Sequence, residues 1–120
     1  MQIDPTKRTP AVKIEPSFIE IKGECFPEDV TVFAQPIMEE LKKVLSLTEE
    51  MKVHIELYYF NSSSGKFLFD FFDELEEAAC QGKIINVNWC YREADKSIKE
   101  AGEDFKEDFE EATYKLKKIL

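Results

Sequence analysis

Between Met51 and Tyr91 the apolar residues change their period twice, and this limits the possible folds more than any other feature. From Met51 to Phe60 they alternate, with Val53, Ile55, Leu57 and Tyr59 on one face and Lys52, His54, Glu56 and Tyr58 on the other. Phe67, Leu68, Phe71, Phe72, Leu75 and Ala79 then recur at helical steps, and Lys83–Tyr91 returns to alternation with Ile85, Val87, Trp89 and Tyr91 on one side. A period of two marks a strand and a period near 3.6 a helix, because side chains alternate across a strand and wind around a helix. Strand, helix and strand in that order require two parallel strands joined by a right-handed crossover. Gln81-Gly82 is the expected stop of the intervening helix, since glycine readily takes the left-handed conformation that ends one.

The flanking segments extend the same plan. Ala11–Glu15 and Phe18–Lys22 alternate around a Glu15-Pro16-Ser17 break, the pattern of a hairpin, with Gly23 closing the second strand. Phe26-Pro27-Glu28-Asp29 opens a helix whose apolar face is Val30, Phe33, Ile37, Met38, Leu41 and Val44/Leu45. Pro36 lies inside that pattern, so a kink or a late start is expected there. Ala94–Phe109 reads as a third helix, and Thr113–Leu120 alternates well enough for a final edge strand protected by its lysines. The expected order is β-β-α-β-α-β-α-β. That is a single α/β domain over residues 1–120, a mixed sheet with helices packed on it and residues 1–10 as a flexible lead-in.

Charge removes several classes of partner. The chain carries 16 basic and 25 acidic side chains, a net charge of −9. Such a balance argues against binding nucleic-acid phosphates or anionic lipid and leaves open a protein partner with a basic surface. Much of the excess lies between Glu93 and Glu111, which marks the last helix and its flanks as a candidate docking face. No apolar stretch approaches the length of a membrane span, and Met1–Pro10 has no apolar signal core, so a cytoplasmic location is expected. Cys25, Cys80 and Cys90 are odd in number and widely spaced, so they read as small buried apolar residues in a reducing cytoplasm.

The catalytic inventory is thin. His54 is the single histidine and sits mid-strand, and no close cysteine pair accompanies it, so neither a metal site nor any cofactor is expected. Ser62-Ser63-Ser64-Gly65-Lys66 touches three motifs and satisfies none of them. A P-loop would need glycine where Phe60 stands and Ser or Thr where Phe67 stands. A Ser63-x-x-Lys66 nucleophile motif would need a much longer chain with a Lys-Thr-Gly element. Asn61-Ser62-Ser63 as a glycosylation acceptor matters only in a secreted protein. Two readings of the serine run remain. Its hydroxyls cap the first turn of the following helix, or one of them is phosphorylated where free N–H groups and the helix dipole favour an anion.

Tyr59-Phe60-Asn61-Ser62-Ser63-Ser64, followed by Leu68-Phe69-Asp70, resembles the SiaC family of bacterial regulatory phosphoproteins. Thr9-Pro10, Gly23-x-x-Phe26-Pro27-Glu28, Val87-x-Trp89-x-Tyr91 and Glu100-Ala101-Gly102-Glu103-Asp104-Phe105 fit the same pattern in order. The resemblance implies a STAS-like fold, similar to anti-sigma-factor antagonists, and a non-enzymatic role with no catalytic residues. It implies phosphorylation of Ser62, which follows Asn61, by a kinase resembling anti-sigma serine/threonine kinases, and reversal by a PP2C-type phosphatase. Alignment through the STAS Ser-Gly turn selects Ser64 instead, with Ser63 between the two. The unphosphorylated form would bind a diguanylate cyclase and so act on cyclic di-GMP signalling and biofilm control. Asn61, Ser63, Ser64, Gly65 and Lys66 are then the expected partner-binding residues around the switch. Two other classes stand beside this one: a small serine-nucleophile enzyme, and a constitutive acidic scaffold.

Overall fold

A computed structural model describes residues 1–119. Strands β1 (Gln2–Ile3), β2 (Ala11–Glu15), β3 (Phe18–Cys25), β4 (Glu50–Phe60), β5 (Ile84–Arg92) and β6 (Thr113–Ile119) form one sheet in sequential order. Helices α1 (Val30–Leu47), α2 (Ser62–Cys80) and α3 (Lys96–Lys106) connect β3 to β4, β4 to β5 and β5 to β6. The first three strands pair antiparallel and the last four parallel. Three successive right-handed crossovers that advance in one direction place all three helices on the same face. The core therefore lies between the helices and one side of the sheet, where Val53, Ile55, Val87 and Trp89 meet Leu41, Leu68, Phe71 and Leu75. Among the described residues, the other side carries no helix. Across its middle run Glu20, His54, Asn88 and Lys115, aligned in register from β3 to β6.

The expected order of strands and helices is the observed one, with local differences. The lead-in contributes β1, which pairs with Lys13 and Val12, and the terminal amine donates to the Ile14 carbonyl at 2.7 Å. The hairpin turns through Pro16 and Ser17, whose φ of 73° is the left-handed residue of a tight turn. Gly23 does not close β3, which runs on to Cys25. Its φ of 131° belongs to a register shift at which Gly23 faces Leu57 and Glu24 faces Tyr59, so Tyr58 is the extra residue. That bulge corrects the facing read from simple alternation. Tyr59 turns outward, half exposed, against Phe26, and Phe60 turns inward against Trp89 and Phe105.

Helix α1 does not start late at Pro36. It begins at Val30, capped by Asp29, whose carboxylate accepts from the Thr31 and Val32 amides. Pro36 sits on the solvent side, where water can serve the backbone carbonyl that its missing N–H leaves free. Helix α3 is shorter than its apolar pattern, because Asp95 caps it through the Ile98 amide at 3.1 Å. Helix α2 ends as read: Gly82 has φ of 98° and the Gly82 and Lys83 amides close onto Ala79 and Ala78. Strand β6 is the expected lysine-bearing edge, and Leu120, which the reading included in it, lies outside the described residues. Cys25 and Cys90 are buried as expected, whereas Cys80 is exposed at the end of α2.

Candidate functional site

The serine run lies where β4 ends and α2 begins, at the carboxyl end of a central parallel strand. Loops at that end of a parallel sheet line the crevices where ligands and partners meet α/β proteins. The local structure follows from Asn61. Its extended backbone leaves β4, its side-chain oxygen accepts from the Ser64 amide at 3.0 Å, and its carbonyl accepts from the Gly65 amide at 2.9 Å. Asn61 is thus the N-cap of α2, and the capping role read for the serines belongs to it.

The three serines differ sharply. Ser62 and Ser63 are exposed at the first two helical positions, whereas Ser64 is fully buried. Among the described residues, Ser64 Oγ has no hydrogen-bond partner. Its neighbour is the buried Cys25 thiol, pushed up by desolvation and drawn partly back by the Ser64 hydroxyl; a thiol is at best a weak partner. Gly65 packs close to Phe60, where an added Cβ would stand 3.4 Å from the ring. Lys66 is exposed one helical turn after Ser62, so the two share a face of α2.

A groove of about 260 Å³ runs between α1 and α2 beside this turn, lined by Val30, Ala34 and Met38 from one helix and Ser63, Lys66 and Phe67 from the other. A second hollow of about 340 Å³ opens on the other flank, between Tyr58–Phe60 and the start of α3 at Asp95 and Ser97. Ser62 follows Phe60 and Asn61 and precedes Ser63, so it stands in the chain between the two depressions. With the Ser64 amide held by Asn61, the N-terminal turn of α2 still offers the Ser62 and Ser63 amides as donors.

The family model described as SiaC family regulatory phosphoprotein matches residues 3–119. The chain belongs to that family. An uncharacterised protein of Pseudomonas aeruginosa (strain UCBPP-PA14) is 26% identical over 111 residues, covering 90% of this chain and 88% of its own length. Among solved structures, SiaC of P. aeruginosa in a crystal with the diguanylate cyclase SiaD, which it activates, superposes with a TM-score of 0.93. That match has 24% identity and covers 99% of both chains. Apo-SiaC from the same organism gives 0.88 at 24% identity, covering 98% of this chain and 97% of that one. At such identity these structures bear on the fold, a three-helix, six-stranded domain, which this SiaC family member shares.

The fold brings Asn61, Ser62, Ser63 and Lys66 together on one accessible turn and removes Ser64 from the surface. His54, the single histidine and so the one imidazole available to a serine nucleophile, lies on the helix-free face of the sheet beside Glu56. It is turned away from α2, and among the described residues no imidazole approaches the serines. The acidic positions Glu103, Asp104, Glu107 and Asp108 are all exposed along α3 and its end. Among the described residues, His54, Glu56 and Cys90 place one ligand atom each within 4.8 Å of the others.

Proposed function

We propose that this SiaC family protein is a partner-binding switch, set by reversible phosphorylation of Ser62 at the N-terminus of α2. Membership of a regulatory phosphoprotein family supports the class of function. The observation that carries the assignment is the division of labour in the turn. Asn61 caps the helix, Ser64 is buried, and Ser62 is left exposed with no structural duty. A kinase must reach its hydroxyl, so Ser64 is disfavoured as acceptor, and Ser63 ranks behind Ser62 because it already lines the groove.

The output partner is proposed to be a diguanylate cyclase, by analogy with the SiaC–SiaD complex. The enzymes acting on the switch are an anti-sigma-type serine/threonine kinase and a PP2C-type phosphatase, all in the cytoplasm. The neutral serine lets a partner close over the turn and the apolar groove beside it. A phosphate adds roughly −1.5 to −2 charges, which the free amides and Lys66 hold in place while the partner must desolvate them. The change is local and leaves the fold intact.

Peptide mapping of protein from its native host, grown with and without stimuli that raise biofilm formation, tests the site. Phosphate on Ser62 supports it. Phosphate confined to Ser64, or a chain never phosphorylated while its kinase is active, overturns it.

A further inference from the structure

We propose that His54, Glu56 and Cys90 form a binding site for a zinc-type divalent ion on the helix-free face of the sheet. Strands β4 and β5 build it by register: Glu56 stands directly opposite Cys90, and His54 lies two residues before Glu56 on the same face. His54 Nε2 is 3.2 Å from Glu56 Oε1, and Cys90 Sγ is 3.7 Å from His54 Nδ1 and 3.8 Å from Nε2. A tetrahedral zinc with ordinary bond lengths has ligand–ligand edges of about 3.3 Å for nitrogen–oxygen and about 3.6 Å for nitrogen–sulfur. Nε2 therefore stands close to these edge lengths from both partners, with all three donor atoms within 4.8 Å of one another, and a turn of the ring aims its lone pair between the other two.

The surroundings support the same reading. The second oxygen of Glu56 is taken by the Tyr58 hydroxyl, with the Lys22 ammonium 3.7 Å away, which leaves Oε1 directed to the histidine. Such outer hydrogen bonds fix the ligating oxygen and the plane of the carboxylate. Cys90 is only 1% exposed yet stands apart from the hydrophobic core cluster, so core packing does not explain it. The imidazole is half-buried and gives the ion a way in from solvent. A nitrogen, an oxygen and a sulfur donor suit a borderline ion better than calcium or magnesium, which prefer all-oxygen sites. Binding displaces the thiol proton to solvent and forms the metal–sulfur bond. Thiolate and carboxylate then neutralise the dication, and water completes the tetrahedron. Lys22 and Lys117 flank the site and Arg92 stacks over Tyr58, so the affinity is moderated by nearby positive charge.

Titrating the reduced, metal-free full-length chain with Co²⁺ tests this, because a thiolate ligand produces a near-ultraviolet charge-transfer band and tetrahedral cobalt a strong visible one. The wild-type chain is expected to saturate at one equivalent and to lose both bands when Zn²⁺ is added. Cys80→Ser, which removes the exposed thiol, retains them; Cys90→Ser loses the charge-transfer band. Tyr58→Phe weakens binding by about 10–100-fold through the released carboxylate. If Cys90→Ser does not fold, His54→Gln at its half-exposed position decides, with binding weakened by at least about tenfold as a ligand is lost. No charge-transfer band in the wild type, a band that survives His54→Gln at full affinity, or one that disappears in Cys80→Ser overturns the proposal.

Discussion

Replacing Gly102 by alanine sets two opposite expectations against each other. On an isolated helix the change is favourable by about 1 kcal/mol. In this fold the new Cβ would stand 2.3 Å from Trp89 Cδ1 and 2.5 Å from Trp89 Nε1, where carbon atoms normally keep about 3.5–4.0 Å. Helix α3 must retreat by roughly 1 Å or the indole must turn. Either movement strains two buried bonds: Trp89 Nε1–H donates to the Ile98 carbonyl at 2.9 Å, and the Tyr114 hydroxyl donates to the Gly102 carbonyl at 2.9 Å. Overpacking costs about 1–3 kcal/mol, and each weakened bond about 1 kcal/mol. Against the helical gain, the net loss is about 2–4 kcal/mol, or a fall in melting temperature of roughly 6–24 °C for a domain of this size. Thermal melting followed by circular dichroism measures the loss. Because Trp89 is the one tryptophan, its emission reports whether the indole has moved. A Gly102→Ala chain that melts at or above the wild-type temperature with unchanged emission would refute the packing argument.

Three further outcomes follow from neighbouring features. Asn61→Ala removes the cap on the Ser64 amide and should cost about 1 kcal/mol in chemical denaturation, with faster hydrogen exchange in the first turn of α2. Ser64→Ala deletes a buried hydroxyl that has no partner and should leave stability unchanged or raise it by up to about 1 kcal/mol; a loss larger than that would mean the hydroxyl is satisfied. Glu76 is partly desolvated, but its carboxylate accepts from the Glu110, Glu111 and Ala112 amides at 3.0, 3.0 and 2.9 Å, which together hold its pKa below the usual glutamate range. Its contribution is therefore complete above the unfolded pKa and lost as pH falls through the folded one. Glu76→Gln, which keeps one acceptor oxygen at a largely solvated position, should cost about 1 kcal/mol at neutral pH and flatten the acid limb of the stability profile.

The strands and helices were legible because each buries one face and solvates the other, so period and facing are written in the order of residues 51–91. What period cannot carry is a single inserted residue. The bulge at Tyr58 shifts Tyr59 out and Phe60 in, and its only chain signal is Gly23 on the neighbouring strand, which reads equally well as a strand end. Nor does the pattern say how long α3 is, because Asp95 ends its N-terminus by a cap while the apolar pattern runs on at both ends. At the candidate site, the serine run and Asn61 were visible, but their roles were not. Ser64 reads as polar and accessible, and only the packing of the first turn against the end of β3, with Cys25 as its neighbour, buries it. The His54–Glu56–Cys90 group was invisible for another reason: its third member lies on a different strand, and register, not chain spacing, brings it close.

The central claim is that one phosphate on Ser62 controls partner binding without altering the fold. Its most direct test is calorimetric titration of three forms of the chain into the diguanylate cyclase of the same organism: unmodified, Ser62→Ala, and stoichiometrically phosphorylated at Ser62. The account predicts tight binding for the first two and at least about tenfold weaker binding, some 1.4 kcal/mol, for the third, with superimposable circular dichroism spectra. Equal affinity of the phosphorylated and unmodified chains for a cyclase that does bind would contradict it.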